Sequence, residues 1–414
     1  MEKQKCPEIR FNQFNENWSI ISLGDLMNVG SVKRVHQADW CDTGVRFLRA
    51  RDIVAFAKNE DIADPIYISQ DRYEEYSKLS GKVKVGDLLV TGVGTIGVPM
   101  LVGNDDPLYF KDGNVIWFKN ENAINGLFLY YSFINKTIQN FIKDSAGIGT
   151  VGTYTITSGK RTPIYLPKEN EQIQIGNFFQ NLDQSIALQE KKLTQTQNLK
   201  KAMLEKMFPK AGSNQPEVRL KGFSGDWDTI NLGSLCYIGD IDHRMPESNT
   251  SGIPYLMTGD FFGINGLDFK NAKLISNQDY EQLSKKIKPV MGDILFARYA
   301  SVGTVRLVVT DVKFLISYSC AILKTSVSSN GEYLFYWFQT SFAQNQIEQE
   351  INTGSQRNIG IDSLKKLSVS LPKTSEQKAI ANFFKKLDET LALQQQQFQT
   401  LKNLKQAFLE KMFV

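Results

Sequence analysis

Leu166 to Phe208 reads LPKENEQIQIGNFFQNLDQSIALQEKKLTQTQNLKKAMLEKMF, and Leu371 to Phe413 reads LPKTSEQKAIANFFKKLDETLALQQQQFQTLKNLKQAFLEKMF. The stretches lie 371 − 166 = 205 positions apart and share about half their residues, so the chain is written twice. Outward from them the repeat continues more faintly. PEIRFNQFNENWSIISLGDL from Pro7 matches PEVRLKGFSGDWDTINLGSL from Pro216, and KVKVGDLLVTGVGTIG from Lys82 matches IKPVMGDILFARYASVG from Ile287. The 414 residues thus form two half-units, each a globular part of about 165 residues followed by a helix of about 40. The expected boundaries are 1–168 for the first globular domain, 169–208 for a central spacer helix, 209–373 for the second globular domain and 374–414 for a C-terminal spacer helix.

Both helical segments lack internal proline, and their apolar residues recur at alternating steps of four and three, the spacing of a coiled-coil seam. The first seam is Ile175, Phe179, Leu182, Ile186, Gln189, Leu193, Thr196, Leu199 or Lys200, Met203. The second is Ile380, Phe384, Leu387, Leu391, Gln394, Phe398, Leu401, Leu404 or Lys405, Phe408. At 1.5 Å per residue each helix is about 60 Å long, too long and too apolar along one stripe to stand alone in water. Two related helices pair most simply antiparallel, which sets Gln189 opposite Gln394 as a polar, register-fixing pair. The same glutamines also fit a solvated turn of the seam, and both readings stand.

The globular halves read as mixed α+β. Apolar runs VRFLRARDI (45–53), PIYIS (65–69), DLLVTG and VIWFK (115–119), with PYLMTGDF, DILFARY, VRLVVT and FLISYSCAILK in the second half, read as strands. LFLYYSFINKTIQNFI (127–142) and EYLFYWFQTSFAQNQIEQEI (332–351) read as helices, and PKAGSNQP (209–216) as a linker.

Most catalytic chemistry is excluded by what the chain lacks. It has two histidines, His36 and His243, and four cysteines with no C-x-x-C pair, so zinc sites and disulfide frameworks have no seats and a reducing cytoplasm fits best. There is no G-x-x-x-x-G-K-[ST], G-x-S-x-G or H-E-x-x-H, and the Asn-Pro-Pro-aromatic signature of amino-methyltransferases is missing. The E-x-K triplet at Glu190 falls on a spacer helix, away from any sheet that carries a second acid. No cofactor or metal is expected. The N-terminus shows no apolar signal region, and the most apolar stretch, Gly86 to Gly103, is broken by Asp87, glycines and Pro99, so no membrane span is expected. A net charge of +4 means that any nucleic-acid affinity must be local.

What remains are polar, glycine-rich loops whose residue types hydrogen-bond base edges and phosphates. In the first half the candidates are Arg49, Arg51, Thr95, Thr150, Thr153, Tyr154, Lys160 and Arg161. In the second they are Arg244, Thr258, Arg298, Tyr299, Ser301, Ser355, Gln356, Arg357 and Asn358. Any one of them also fits a solvated turn, but as a set they recur in both halves. Gly92 and Val93 stand where the second repeat has Arg298 and Tyr299, so one scaffold presents two different loop sets.

The LP-K-x-x-EQ-x-x-I-x-x-FF-x-x-LD runs at 166–183 and 371–388, the NLK-x-A-x-LEKMF endings, the PE-[IV]-R openings and the GD-[IL]-L turns resemble the DNA specificity subunits of type I restriction-modification systems over essentially the whole chain. The resemblance implies two target recognition domains that each read one half of a bipartite asymmetric site in double-stranded DNA, joined by helices that act as a ruler. It also implies a non-catalytic subunit whose helices dock two copies of an adenine methyltransferase subunit, which brings its own S-adenosylmethionine, and which a motor-nuclease restriction subunit can join. Two other classes stay open. A self-contained DNA-modifying enzyme would show activity as the purified chain, and a pure protein scaffold would assemble without binding DNA.

With a charge of only +4, the isolated chain is expected to bind DNA weakly and with strong salt dependence. A titration of duplex DNA at physiological salt checks this, and tight binding by the lone chain would contradict it.

Overall fold

The computed structural model describes residues 6–146, 152–325, 331–354 and 357–414. Its helix and strand content is α+β, and the chain forms two compact units. The first is Met1–Glu190 with Gln397–Val414, and the second is Lys191–Gln396. Each of the two 38-residue helices, the central Glu169–Lys206 and the C-terminal Thr374–Lys411, therefore begins in one unit and ends in the other.

Inside each unit two helix segments run antiparallel. In the first, Phe178 meets Phe408 with ring centroids 5.1 Å apart, Asp183 meets Lys405 at 2.5 Å and Gln189 donates to Gln397 at 3.1 Å. In the second, Lys200 meets Asp388 at 2.6 Å, and Phe208 stacks on Phe384 at 6.0 Å. Where the spacing left Leu199 or Lys200, and Leu404 or Lys405, open, the lysines turn inward and the leucines are 46% and 43% exposed. Each lysine faces an aspartate and a tyrosine of its own unit. Tyr131 donates to Asp183 at 2.7 Å with Lys405 5.7 Å from its ring, and Tyr336 donates to Asp388 at 3.0 Å with Lys200 5.6 Å from its ring. Burial, reinforced by the aspartate, raises the pKa of both phenols, so they stay protonated donors.

The repeated PE-[IV]-R openings close each unit. Arg10 forms a two-pronged pair with Glu171 (2.6 and 2.7 Å), and Arg219 forms the same pair with Glu376 (2.7 and 2.8 Å); both carboxylates are buried. The residues just before those arginines cap the far helix ends, with Ile9 N–H donating to Lys411 O and Val218 N–H to Lys206 O, both at 2.9 Å. The helix tails then enter the cores. Phe413 packs on Phe128 and Phe179 in the first unit, and Phe208 on Trp227, Tyr333 and Phe384 in the second.

Each globular part is built on a four-stranded antiparallel sheet of matching order. In the first unit the strands lie in the order Asn28–Gly30, Val115–Lys119, Leu88–Thr91, Pro99–Leu101; in the second, Ile238–Gly239, Cys320–Leu323, Ile294–Ala297, Val305–Leu307. A second, mixed sheet packs beside it, four-stranded in the first unit, with Val45–Leu48 parallel to Leu108–Phe110, and three-stranded in the second, with Ile253–Leu256 parallel to Leu315–Ile316.

Several expected elements differ: FLISYSCAILK is two strands, Leu315–Ile316 and Cys320–Leu323, and PYLMTGDF is a strand only to Leu256 before the 3-10 turn Thr258–Asp260. The run VRFLRARDI is a strand only to Leu48; Asp52 then accepts from the Arg49 backbone N–H at 2.8 Å and starts the helix Ala50–Ala57. The helices expected at 127–142 and 332–351 are each two. Asn135 adopts an extended ψ of 148° and caps Lys136–Ser145 after Gly126–Ile134, and Thr340 caps Ser341–Gln349 after Gly331–Trp337. No helix among the described residues is long and apolar enough to cross a membrane.

The Lys200–Asp388 pair is buried, with side chains 10% and 15% exposed, whereas Lys405 and Asp183 are 23% and 35% exposed. Lys200→Ala is therefore expected to destabilise the second unit by about 3 kcal/mol, and Lys405→Ala to destabilise the first by about 1 kcal/mol. Unit-resolved hydrogen exchange measures both, and equal losses would contradict the difference in burial.

Candidate nucleic-acid interface

The four-stranded sheet of the first unit ends, on one side, at Gly30, Thr91, Val115 and Pro99, as its register shows. Three connections leave there: residues 31–36, 92–98 and 111–114. Backbone bonds tie the last two together, and side chains hold the first, with Ser31 Oγ donating to Val115 O at 3.4 Å and Arg34 to Asp112 at 2.9 Å. Gly92 N–H donates to Asn114 O at 2.8 Å, Tyr154 N–H to Gly92 O at 2.9 Å, and Lys111 N–H to Leu48 O at 2.8 Å. The last bond brings the start of the helix Ala50–Ala57 to the same place. Thr95 and Thr153, both exposed, and Arg51, 60% exposed, thus lie in one loop cluster.

The second unit repeats this plan with other side chains. Its sheet ends at Gly239, Ala297, Cys320 and Val305. Arg298 N–H donates to Ser319 O at 2.9 Å, Ile359 N–H to Arg298 O at 3.1 Å, and Ser317 N–H to Leu256 O at 2.8 Å. Tyr299 bridges Asn358, so Tyr299, Ser301, Arg357 and Asn358 come together, with Thr258 on the neighbouring 3-10 turn Thr258–Asp260. Arg357 ion-pairs Glu348 on the supporting helix. That helix also steadies the glycine turn: Gln344 donates to Gly303 O at 3.3 Å, as Gln139 does to Gly97 O at 2.8 Å in the first unit.

Several expected contact residues hold the loops instead of projecting from them. Tyr154 is 2% exposed and shares a hydrogen bond with Thr162, so it is a core residue. Arg298 is 7% exposed; its guanidinium pairs with Asp240 at 2.5 Å and donates to Ile359 O at 3.0 Å. Arg49 is spent on Asp52 through both prongs, at 2.9 Å each, and on Asp64 O. Arg244 is exposed but bound to Asp279 at 2.8 Å. Lys160 and Arg161 lie apart from the cluster, on the last turn of Ile156–Arg161, with the Lys160 stem against Gly24. Gln189 is on the central helix in the first unit and Gln394 on the C-terminal helix in the second. Thr150, Ser355 and Gln356 lie outside the described residues.

Sequence reasoning missed Asp240 and the segment 31–36. Asp240 gathers Arg298, Lys286 at 2.9 Å and His243 at 3.0 Å. Burial pushes its carboxyl up, but the bonds from Lys286 and His243 and the nearby positive charges outweigh it and hold the group below its ordinary range. In the first unit Val32 and Val35 are buried while Lys33, Arg34 and His36 project. The signal available was the two basic residues between valines three apart. The loops offer donors and cations for base edges and phosphates. Among the described residues no three His, Cys, Asp or Glu side chains are grouped to hold a metal.

Comparison with known proteins agrees with the duplicated plan. The chain is 22% identical over 423 residues to the putative type I restriction enzyme MjaX specificity subunit of Methanocaldococcus jannaschii, covering 99% of this chain and 95% of that protein. It is 29% identical over 175 residues to the putative specificity subunit S.HindORF215P of Haemophilus influenzae, about 40% of each. The fold matches the crystal structure of the S subunit of a type I restriction-modification system from M. genitalium with a TM-score of 0.60, at 14% identity over 99% of both chains. It also matches the HsdS subunit from Thermoanaerobacter tengcongensis at 0.50, with 18% identity over 97% and 99%. The family model for the type I restriction modification DNA specificity domain matches twice, at residues 15–198 and 224–403, and the chain belongs to that family.

Proposed function

We propose that this chain is the non-catalytic, sequence-specific DNA-binding subunit of a type I restriction-modification complex, each unit reading one half of a bipartite asymmetric site. The observation that carries the reading is the matched sheet order of the two units combined with unlike side chains at equivalent loop positions. Thr91 and Gly92 stand where the second unit has Ala297 and Arg298, and the Asp240 cluster has Ser31 in its place. Equivalent loops of different chemistry suit two different half-sites, and the continuous helices suit a fixed spacing between them.

The helices also support docking of two copies of one partner, the adenine methyltransferase subunit. Leu188 (53% exposed) and Leu404 (43%) in the first unit correspond, at the offset of 205, to Leu393 (55%) and Leu199 (46%) in the second. The same pair of exposed leucines thus occurs once per unit, as a surface for two equal partners requires. The buried thiols argue against chemistry here: burial pushes Cys236 and Cys320 up to about 12, far from nucleophilic at neutral pH.

Co-expression with the cognate methyltransferase subunit, followed by single-molecule sequencing for methylated adenine, tests the reading. The expected result is a split, non-palindromic motif with a fixed gap, its halves about 34 to 36 Å apart centre to centre. A continuous palindrome, or unmethylated DNA from a well-formed complex, would contradict it.

A further inference from the structure

The segment 31–36 of the first unit is held on both sides. Val32 and Val35 are 8% and 1% exposed, Lys33 N–H donates to Ser80 Oγ at 3.1 Å, and Tyr109 OH donates to Lys33 O at 2.9 Å. A backbone fixed this way holds Arg34 over the 111–114 turn, the point where the connections of the loop cluster meet. There its Nε donates to Asp112 Oδ2 at 2.9 Å. The carboxylate is sheltered, 13% exposed, while the Arg34 side chain is 64% exposed. Its two Nη atoms hydrogen-bond nothing among the described residues. The guanidinium is therefore oriented through one edge and presents its open fork to solvent.

A fork with two adjacent N–H donors in fixed geometry matches the O6 and N7 acceptors on the major-groove edge of guanine, and pre-orientation removes part of the entropy lost on binding. Resting on the DNA-binding reading above, we infer that Arg34, positioned by Asp112, is a specificity determinant of the first unit and reads a guanine in its half-site. The second unit has no counterpart. It carries His243 in place of Arg34, and the three-residue turn 317–319, which has no carboxylate, in place of 111–114; His243 stacks on Tyr318 at 4.8 Å and pairs with Asp240. The guanine contact at this place belongs to one half-site only.

The test uses the full chain in complex with its methyltransferase subunit and duplexes carrying the mapped motif, together with duplexes in which each base pair is replaced in turn. Arg34→Ala removes an exposed side chain, and an unchanged preference at the other half-site shows that the complex is intact. On the motif the variant is expected to lose on the order of ten- to a hundredfold in affinity, and to lose nothing further on the duplex in which one particular G·C pair is already replaced. Arg34→Lys keeps the charge but not the fork, and is expected to fail at the same base pair. Asp112→Asn is expected to lose less, again at that pair alone.

A uniform loss on every duplex, with a salt slope shallower by about one, would make Arg34 a phosphate contact and overturn the inference. So would an unchanged affinity, or a variant-sensitive half-site without a G·C pair. A well-formed complex with no split motif removes the DNA-reading function itself, and this assignment with it.

Discussion

An aspartate on one long helix, a lysine on the other and a tyrosine of the adjoining globular part meet twice in this chain, as Tyr131, Asp183 and Lys405 and again as Tyr336, Asp388 and Lys200. It joins both helix segments to the adjoining globular part in each unit. A lysine at a seam position is costly unless paired, and the aspartate that pairs it is itself fixed by a buried phenol. The contact thus admits one register of the two helix segments. On the same side Phe413 or Phe208 closes the aromatic core, and Arg10 or Arg219 locks the chain opening onto the helix start. Each unit is completed by residues from the far end of the other repeat's helix.

The duplication explains how one chain carries two chemistries. The long helices, the order of the four-stranded antiparallel sheets and the glutamines that steady the glycine turns recur, so the ends of these two sheets are equivalent surfaces. The connections leaving them are not. The first unit leaves Lys33, Arg34 and Thr95 projecting, whereas the second draws Arg298, Lys286 and His243 onto Asp240 and shows Tyr299, Ser301 and Arg357. A rigid common frame with unlike loops is what reading two unlike half-sites demands, and it leaves the fold insensitive to changes in what is read.

The repeat, the long helices and the α+β character were legible because they rest on patterns many residues long. The PE-[IV]-R openings and the EQ of the helix starts were visible as motifs, and the pairing of Arg10 with Glu171 and of Arg219 with Glu376 supplies their reason. What was not legible depends on single tertiary partners. Arg298 looks like a contact residue until Asp240, 58 residues away, takes its charge. Tyr154 looks like a loop aromatic until Gly92 and Thr162 draw it inside. The spacing leaves Leu199 or Lys200, and Leu404 or Lys405, open, and only the aspartates across the interface decide for the lysines. Conversely Arg34 went unnoticed because its orienting acid is 78 residues downstream.

Each unit needs the helix segment that arrives from the other repeat. Hydrogen exchange on a chain ending at Gln396, compared with the full chain, tests it directly. Protection is expected to collapse around Trp18, Phe128 and Phe179, whose core has lost Leu409, Met412 and Phe413, while the segments holding Trp227, Tyr333 and Phe384 keep theirs. Unchanged protection in the first unit would show that it folds without the distant segment and would contradict this dependence.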